Sequence, residues 1–451
     1  MPTPDFQSFG RSAASRQAAT TRQAHRNAAW AATGVVFVLL LPFWFDTLAM
    51  GGFLIWRSPQ VYERLLLGFE ITAVVGALAF GYRGWQVLRR AYGLSVLGPA
   101  VLYGCALAGI LLAGSGNQDF VLASMRYAPW LLFLAGVLAA AERVTSLELV
   151  MRRLRVVALA LAVLACIQWA ASPWLADALG AIHGLIMPEG RTNAVLTSLG
   201  LGKSFASLSA RSPIELGYVG LILLVIGLRH RNDPTLVLCG FALIAAGRSN
   251  ATMLAALLVL TLHATGQNRW SLTQRLLVAG AGVAGLLACF ALLPTIYMGA
   301  GANWGDVIET LSMQRLGILI ALPAIIDDAG FGLLLRGVTI ALEPLVETLY
   351  QAGLLPELFA EGGAIAVFDV QWFGMLLVGG LPFVAGGAWL LLLAIRRTGA
   401  PASEARLYAL AALIISMSSQ IMLSRYGLFF LCFTIAAAAT GLFPRGARSP
   451  S

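Results

Sequence analysis

Apolar runs of about 17 to 25 residues recur along this chain from Trp30 to Phe443, and their length constrains the fold more than any motif does. At 1.5 Å of rise per residue, each run can cross roughly 30 Å of hydrocarbon as a helix. In lipid only helices and closed barrels satisfy their own backbone, and no segment here alternates with the period of two that a barrel strand needs. The expected fold class is therefore an all-α integral membrane protein. Composition agrees, since 59% of the 451 residues are hydrophobic and 11% are charged. A soluble domain is about a quarter charged.

The runs predict about twelve spans, at 28–50, 64–82, 94–113, 127–141, 156–176, 212–228, 234–247, 250–265, 276–297, 366–395, 407–423 and 426–443. Alternate connections are basic: Arg83/Arg89/Arg90, Arg143/Arg152/Arg153/Arg155, Arg229/His230/Arg231, Arg269/Arg275, Arg396/Arg397/Arg406 and Arg445/Arg448. This is the pattern of a chain whose basic loops stay on the cytoplasmic side. The expected organisation is a cytoplasmic tail over 1–27, helices 1–9 over 28–297 and a large periplasmic loop over 298–365. Helices 10–12 follow over 366–443, with a second cytoplasmic tail over 444–451. Within the loop, "LGILIALPAII" (316–326) is apolar but too short to span, so it reads as a re-entrant or interfacial segment. The first residues carry Arg11, Arg16, Arg22 and Arg26 with no small-residue cleavage site after the first apolar run, which argues for a tail over a signal peptide.

The net charge of +9 comes from these arginine clusters between apolar runs, so it speaks for topology and against a nucleic-acid partner. Cys105, Cys166, Cys239, Cys289 and Cys432 all lie inside apolar runs without ligand spacing, which favours packing over disulfides or a metal centre. Asp327/Asp328 and Glu343/Glu347 are indistinguishable from an ordinary acidic loop surface, and neither a metal nor a cofactor is expected.

Arginines on the opposite side carry more information: Arg191, Arg211, Arg248, Arg315, Arg336 and Arg425, together with Lys203, the only lysine. Arg248 sits in "GRSN" between two apolar runs of about 15 residues, which reach only roughly 22 Å. The tip of that hairpin should lie below the interface, where a guanidinium costs a few kcal/mol unless it meets a wet cavity or an anion. Arg425, in "LSRYG", poses the same problem. Arg336 lies near Asp327, Asp328 and Glu343 and could simply pair with them. Several guanidiniums gathered at one mouth match the oxygens of a diphosphate and stay charged in a low dielectric.

Four stretches resemble the O-antigen ligase and polymerase superfamily. They are "ARSPIELGYVGLILL" (210–224), "LIAAGRSNATMLAALL" (243–258), "QRLGILIALPAIIDDAGFG" (314–332) and "FDVQWFGMLLVGG" (368–380). The likeness covers roughly residues 180 to 443. It departs from the ligases at Asp369, where they carry histidine, at Val370, where they carry asparagine, and at Arg248–Ser249, where they more often have Ser-Arg. The departure at Asp369 and Val370 counts against a ligase and fits a repeat-unit polymerase of exopolysaccharide or O-antigen.

The resemblance implies a metal-independent membrane glycosyltransferase in the bacterial inner membrane, with its site facing the periplasm. It would move a glycan from undecaprenyl diphosphate to a hydroxyl of a second lipid-linked repeat unit. Implied partners are undecaprenyl-diphosphate-linked oligosaccharides, the bilayer, and the flippase and chain-length or export proteins of the same pathway. Arg191, Arg248 and Arg315, with Arg211 and Arg425, would hold the diphosphate; Arg336 and Trp372 would contact substrate; Asp369 would be the base. Asp369 is equally placed to cap a helix, and Trp372 to sit in an interfacial belt. Glu215 and His183 are secondary base candidates. A lipid-linked oligosaccharide flippase would need the same arginines, but also polar groups at mid-depth in both halves, and helices 1–5 offer only Asp46 and Glu70.

Overall fold

The computed structural model describes residues 6–56, 59–114, 117–186, 213–230, 233–247, 249–265, 330–338, 351, 371–396, 404–416 and 424–440. The elements are α1 (Phe6–Leu39), α2 (Leu41–Trp56), α3 (Pro59–Tyr92), a 3-10 turn (Gly93–Leu97), α4 (Gly98–Ala113), α5 (Gln118–Met125), α6 (Tyr127–Ala141) and α7 (Leu147–Ile186). They continue with α8 (Pro213–Arg229), α9 (Pro234–Gly247), α10 (Asn250–Thr265), α11 (Gly332–Arg336), α12 (Gln371–Arg396), α13 (Glu404–Ile415) and α14 (Arg425–Ala439). No strand occurs among the described residues.

Among the described residues, three stretches are long and apolar enough to cross a membrane: Arg64–Ala113, Gln118–Ala141 and Gln371–Ile395. A fourth is the bent pair Thr21–Leu39 and Leu41–Ala49, which meet at 69°. Shorter apolar helices run over Pro234–Gly247, Ala251–Ala264, Ala405–Ile415 and Arg425–Ala439. The described residues are all-α, and their long apolar helices point to a membrane protein. Helices lie on the apolar runs within the described residues, although α1 reaches back to Phe6 and α7 extends over Leu147–Ile186, and two further differences stand out. The first run does not form one straight helix, because the chain breaks at Leu40, with Pro42 in the opening turn of α2. The run expected to start at residue 127 is entered earlier, through α5, so that Arg126 lies inside the stretch Gln118–Ala141. The expected span 276–297 and the short apolar segment 316–326 lie outside the described residues.

Sequence chemistry sets several helix starts. Pro59, Pro213 and Pro234 occupy first helical positions, where the missing amide donor costs nothing. Asp233 caps α9 by accepting from the amides of Thr235 at 3.1 Å and Leu236 at 3.3 Å, and its second oxygen accepts from Arg155 Nε. Ser424 caps α14 through Oγ, which accepts from the Gly427 amide at 2.9 Å.

The helices pack closely where glycines permit it. A Cβ on Gly84 would lie 2.1 Å from the Leu132 carbonyl oxygen, and one on Gly136 would lie 2.4 Å from that of Phe80. Matching contacts at Glu70–Arg126 and Arg83–Ala139 show that α3 and α6 run in the same direction. Along α4 and α12 the order is opposite, with Gly98 against Trp389 and Tyr103 against Gly386. At the centre lies α14, in which every residue from Tyr426 to Ala437 is buried.

Candidate functional site

Two arginine–carboxylate pairs lie within this apolar bundle. Arg425, the first residue of α14, donates from Nη1 to Asp46 Oδ1 of α2 at 2.9 Å. The next residue, Tyr426, donates its hydroxyl to Asp46 Oδ2 at 2.8 Å, so both oxygens of a carboxylate that is 1% exposed are bonded. Arg126 pairs with Glu70 of α3 at 3.2 Å. The pairs are joined by an aromatic wall. Phe69 lies with its ring centroid 4.3 Å from that of Trp130 and 5.9 Å from that of Phe429, and the Arg425 guanidinium carbon sits 5.4 Å above the Phe69 ring. A cation over an aromatic face gains electrostatic attraction that grows as water is excluded.

The pairing has a physical reason. Burying a lone charge costs far more than burying a matched, hydrogen-bonded pair, so each guanidinium brings a carboxylate with it. Arg425 is nevertheless not saturated, because its Nε–H is buried and has no hydrogen-bond partner. An unmet buried donor carries a penalty of about 1–3 kcal/mol that an added acceptor can remove.

A second feature is the segment 330–338, packed into a break in α12. Gly380 has φ 68° and ψ −166°, so it is not helical and interrupts α12 beside Pro382. The Val338 amide donates to the Leu377 carbonyl at 2.8 Å, and Asn117 Nδ2 donates to the Val338 carbonyl at 2.9 Å. These bonds satisfy backbone groups that a bilayer would otherwise leave bare. Gly337, at φ 74°, makes the approach possible, since a Cβ there would lie 2.4 Å from the Leu377 carbonyl oxygen. Arg336 stands at the end of α11 in this insert, beside Gly109 of α4, and its Nε–H is likewise buried without a hydrogen-bond partner.

At the start of α12, Gln371 is fully buried and its amide donates to the Ser416 carbonyl at 3.2 Å. Trp372 donates from Nε1 to Ser416 Oγ at 2.8 Å. Its indole N–H is thus committed to α13, and only the half-buried ring can meet a ligand. Glu215, in the first turn of α8, lies within electrostatic range of Tyr426.

Of the residues singled out from sequence, the structure therefore places Arg425, Arg336, Trp372 and Glu215, and sets His183 in α7. Asp369, Arg191, Arg211, Arg248 and Arg315 lie outside the described residues, as do Asp327, Asp328, Glu343 and Glu347. Sequence reasoning noticed Asp46 and Glu70 as isolated charges and missed what they pair with. The signal was there in part: a carboxylate buried in one apolar run requires a cation at similar depth in another. Arg126 escaped notice because it was taken to flank a span that in fact begins at Gln118. No family model matches this chain, and comparison with curated proteins and with solved structures finds no match.

Proposed function

We propose that the protein is a polymerase of undecaprenyl-diphosphate-linked oligosaccharide repeat units, acting at the periplasmic face of a bacterial inner membrane through a bundle of about twelve helices with both tails cytoplasmic. The observation that carries this reading is that Arg336 and Arg425, two arginines of the stretch that carries the resemblance, each keep a buried Nε–H with no hydrogen-bond partner among the described residues, as Arg126 and Arg229 also do. Phosphate oxygens are acceptors of the right charge and geometry. The resemblance of residues 180 to 443 to the O-antigen ligase and polymerase superfamily supports the same substrate class.

In this mechanism a hydroxyl of the acceptor repeat unit attacks the anomeric carbon of the donor glycan as the bond to the diphosphate oxygen breaks. Asp369 takes the proton of the attacking hydroxyl. The arginines balance the charge gathering on the departing undecaprenyl diphosphate, which lowers the barrier most when they are preorganised. Trp372 offers a ring face to a sugar.

Reconstitution of the purified protein with lipid-linked repeat units tests the reading directly. Products longer than one repeat are expected, and Asp369→Asn should slow their formation on the order of a hundredfold or more, because Asn keeps shape and hydrogen bonds but cannot accept a proton. A rate within a fewfold of the parent would make Asp369 a helix cap, a role that Asn fills as well. In a deletion strain, single lipid-linked units should accumulate facing outward; units trapped inside would instead mark a flippase.

A further inference from the structure

The amino-terminal helices lie outside the stretch that carries the resemblance, yet one of their residues holds Arg425. Resting on the diphosphate reading above, we infer that Asp46 is a positioning residue for Arg425: it fixes the guanidinium and tempers its charge, so that Arg425 engages the leaving diphosphate through its remaining donors and lets it go. The geometry separates the two tasks. Asp46 Oδ1 accepts from Nη1 of the guanidinium at 2.9 Å, while Oδ2 accepts from the Tyr426 hydroxyl at 2.8 Å. The Phe69 ring, 5.4 Å from the guanidinium carbon, supports its face. Nε–H stays buried and without a hydrogen-bond partner. A guanidinium held on one edge and unmet at Nε is preorganised to receive an anion without rearranging first.

The surrounding charges explain why tempering matters. Arg126 is close enough to Arg425 for the two to repel, and Glu70 balances Arg126 as Asp46 balances Arg425. Each of the two guanidiniums thus has a carboxylate beside it, and Glu215 adds a further negative charge within range of Tyr426. A diphosphate drawn to an uncompensated pair of guanidiniums in a low dielectric would bind tightly and leave slowly, since product affinity limits turnover as surely as chemistry does. With the carboxylates in place, directional hydrogen bonds hold the ligand and raw charge contributes less.

The test measures binding of farnesyl diphosphate, a soluble lipid diphosphate, to the full-length protein in nanodiscs at two salt concentrations. Asp46→Asn keeps an acceptor for Nη1 but removes the counter-charge, so binding should tighten on the order of tenfold and become more sensitive to salt. Tyr426→Phe removes the hydroxyl that shares the carboxylate's charge, so Asp46 should hold Arg425 more strongly and binding should weaken a fewfold. Opposite signs from two neighbouring substitutions are the signature of a tuned anion site. An ion pair that only holds helices together would change abundance and melting temperature with both variants and leave affinity alone, and that result overturns the inference. Should Asp46→Asn fail to accumulate, Tyr426→Phe decides the matter by itself, with unchanged or tighter binding counting against the proposal. If the parent protein binds no lipid diphosphate at all, it is the functional reading that falls.

Discussion

Arg425 is held on one edge by Asp46 and covered by Phe69, whereas Arg126 is bonded to Glu70 within the apolar stretch Gln118–Ala141. Removing one partner of such a pair leaves the other buried and uncompensated. Arg126→Met should therefore cost a few kcal/mol of stability, discounted because both side chains keep some exposure. Adding Glu70→Leu should restore much of the loss, since an apolar pair of similar volume is tolerated where half an ion pair is not. Melting temperatures of the single and double variants in detergent would check this. A double variant no better than the single one would show that the carboxylate answers to another cation. Arg248 calls for a different experiment because its proposed partner is the substrate. Arg248→Lys should keep protein level near the parent's while losing most polymer yield, as an ammonium keeps the charge but not the bidentate fork. Equal yield would remove Arg248 from the diphosphate site.

Among the elements, α12 is the one whose regularity is broken for a purpose visible in its contacts. Gly380 adopts φ 68°, and a Cβ there would come within 2.8 Å of the Leu334 carbonyl oxygen in the inserted segment. Gly380→Ala should thus lose about 1 kcal/mol for the backbone conformation and more for the displaced insert. Gly104→Ala in α4 is the control, because nothing lies within 4 Å of the added methyl and the helix gains intrinsic propensity. A lower melting temperature for the first and not the second is the expected outcome; equal values would mean that the insert accommodates a side chain. The apolar runs at 234–247 and 250–265 read correctly to the residue, because hydrophobic length and a capping Asp233 are local signals. The break at Gly380 was not legible, since "LVGGLP" (377–382) reads as an ordinary glycine-bearing membrane helix until the 330–338 segment is seen against it. The Asp46–Arg425 bond was hidden for a related reason: its partners are far apart in sequence, and no local pattern records which helix lies beside which.

For the molecule as a whole, the proposed orientation makes a labelling prediction. With residues 298–365 periplasmic and the loop after α12 cytoplasmic, Ser312→Cys should react with a membrane-impermeant maleimide in intact cells, and Ser403→Cys should react only after the membrane is opened. Labelling of Ser403→Cys from outside would overturn that topology. The burial of α14 on every side has a consequence for how the protein is made. Asp46 is synthesised 379 residues before the arginine that neutralises it. Until α14 is made, the early helices must wait in the bilayer with the Asp46 carboxylate lacking that arginine, a state open to proteases and insertion factors.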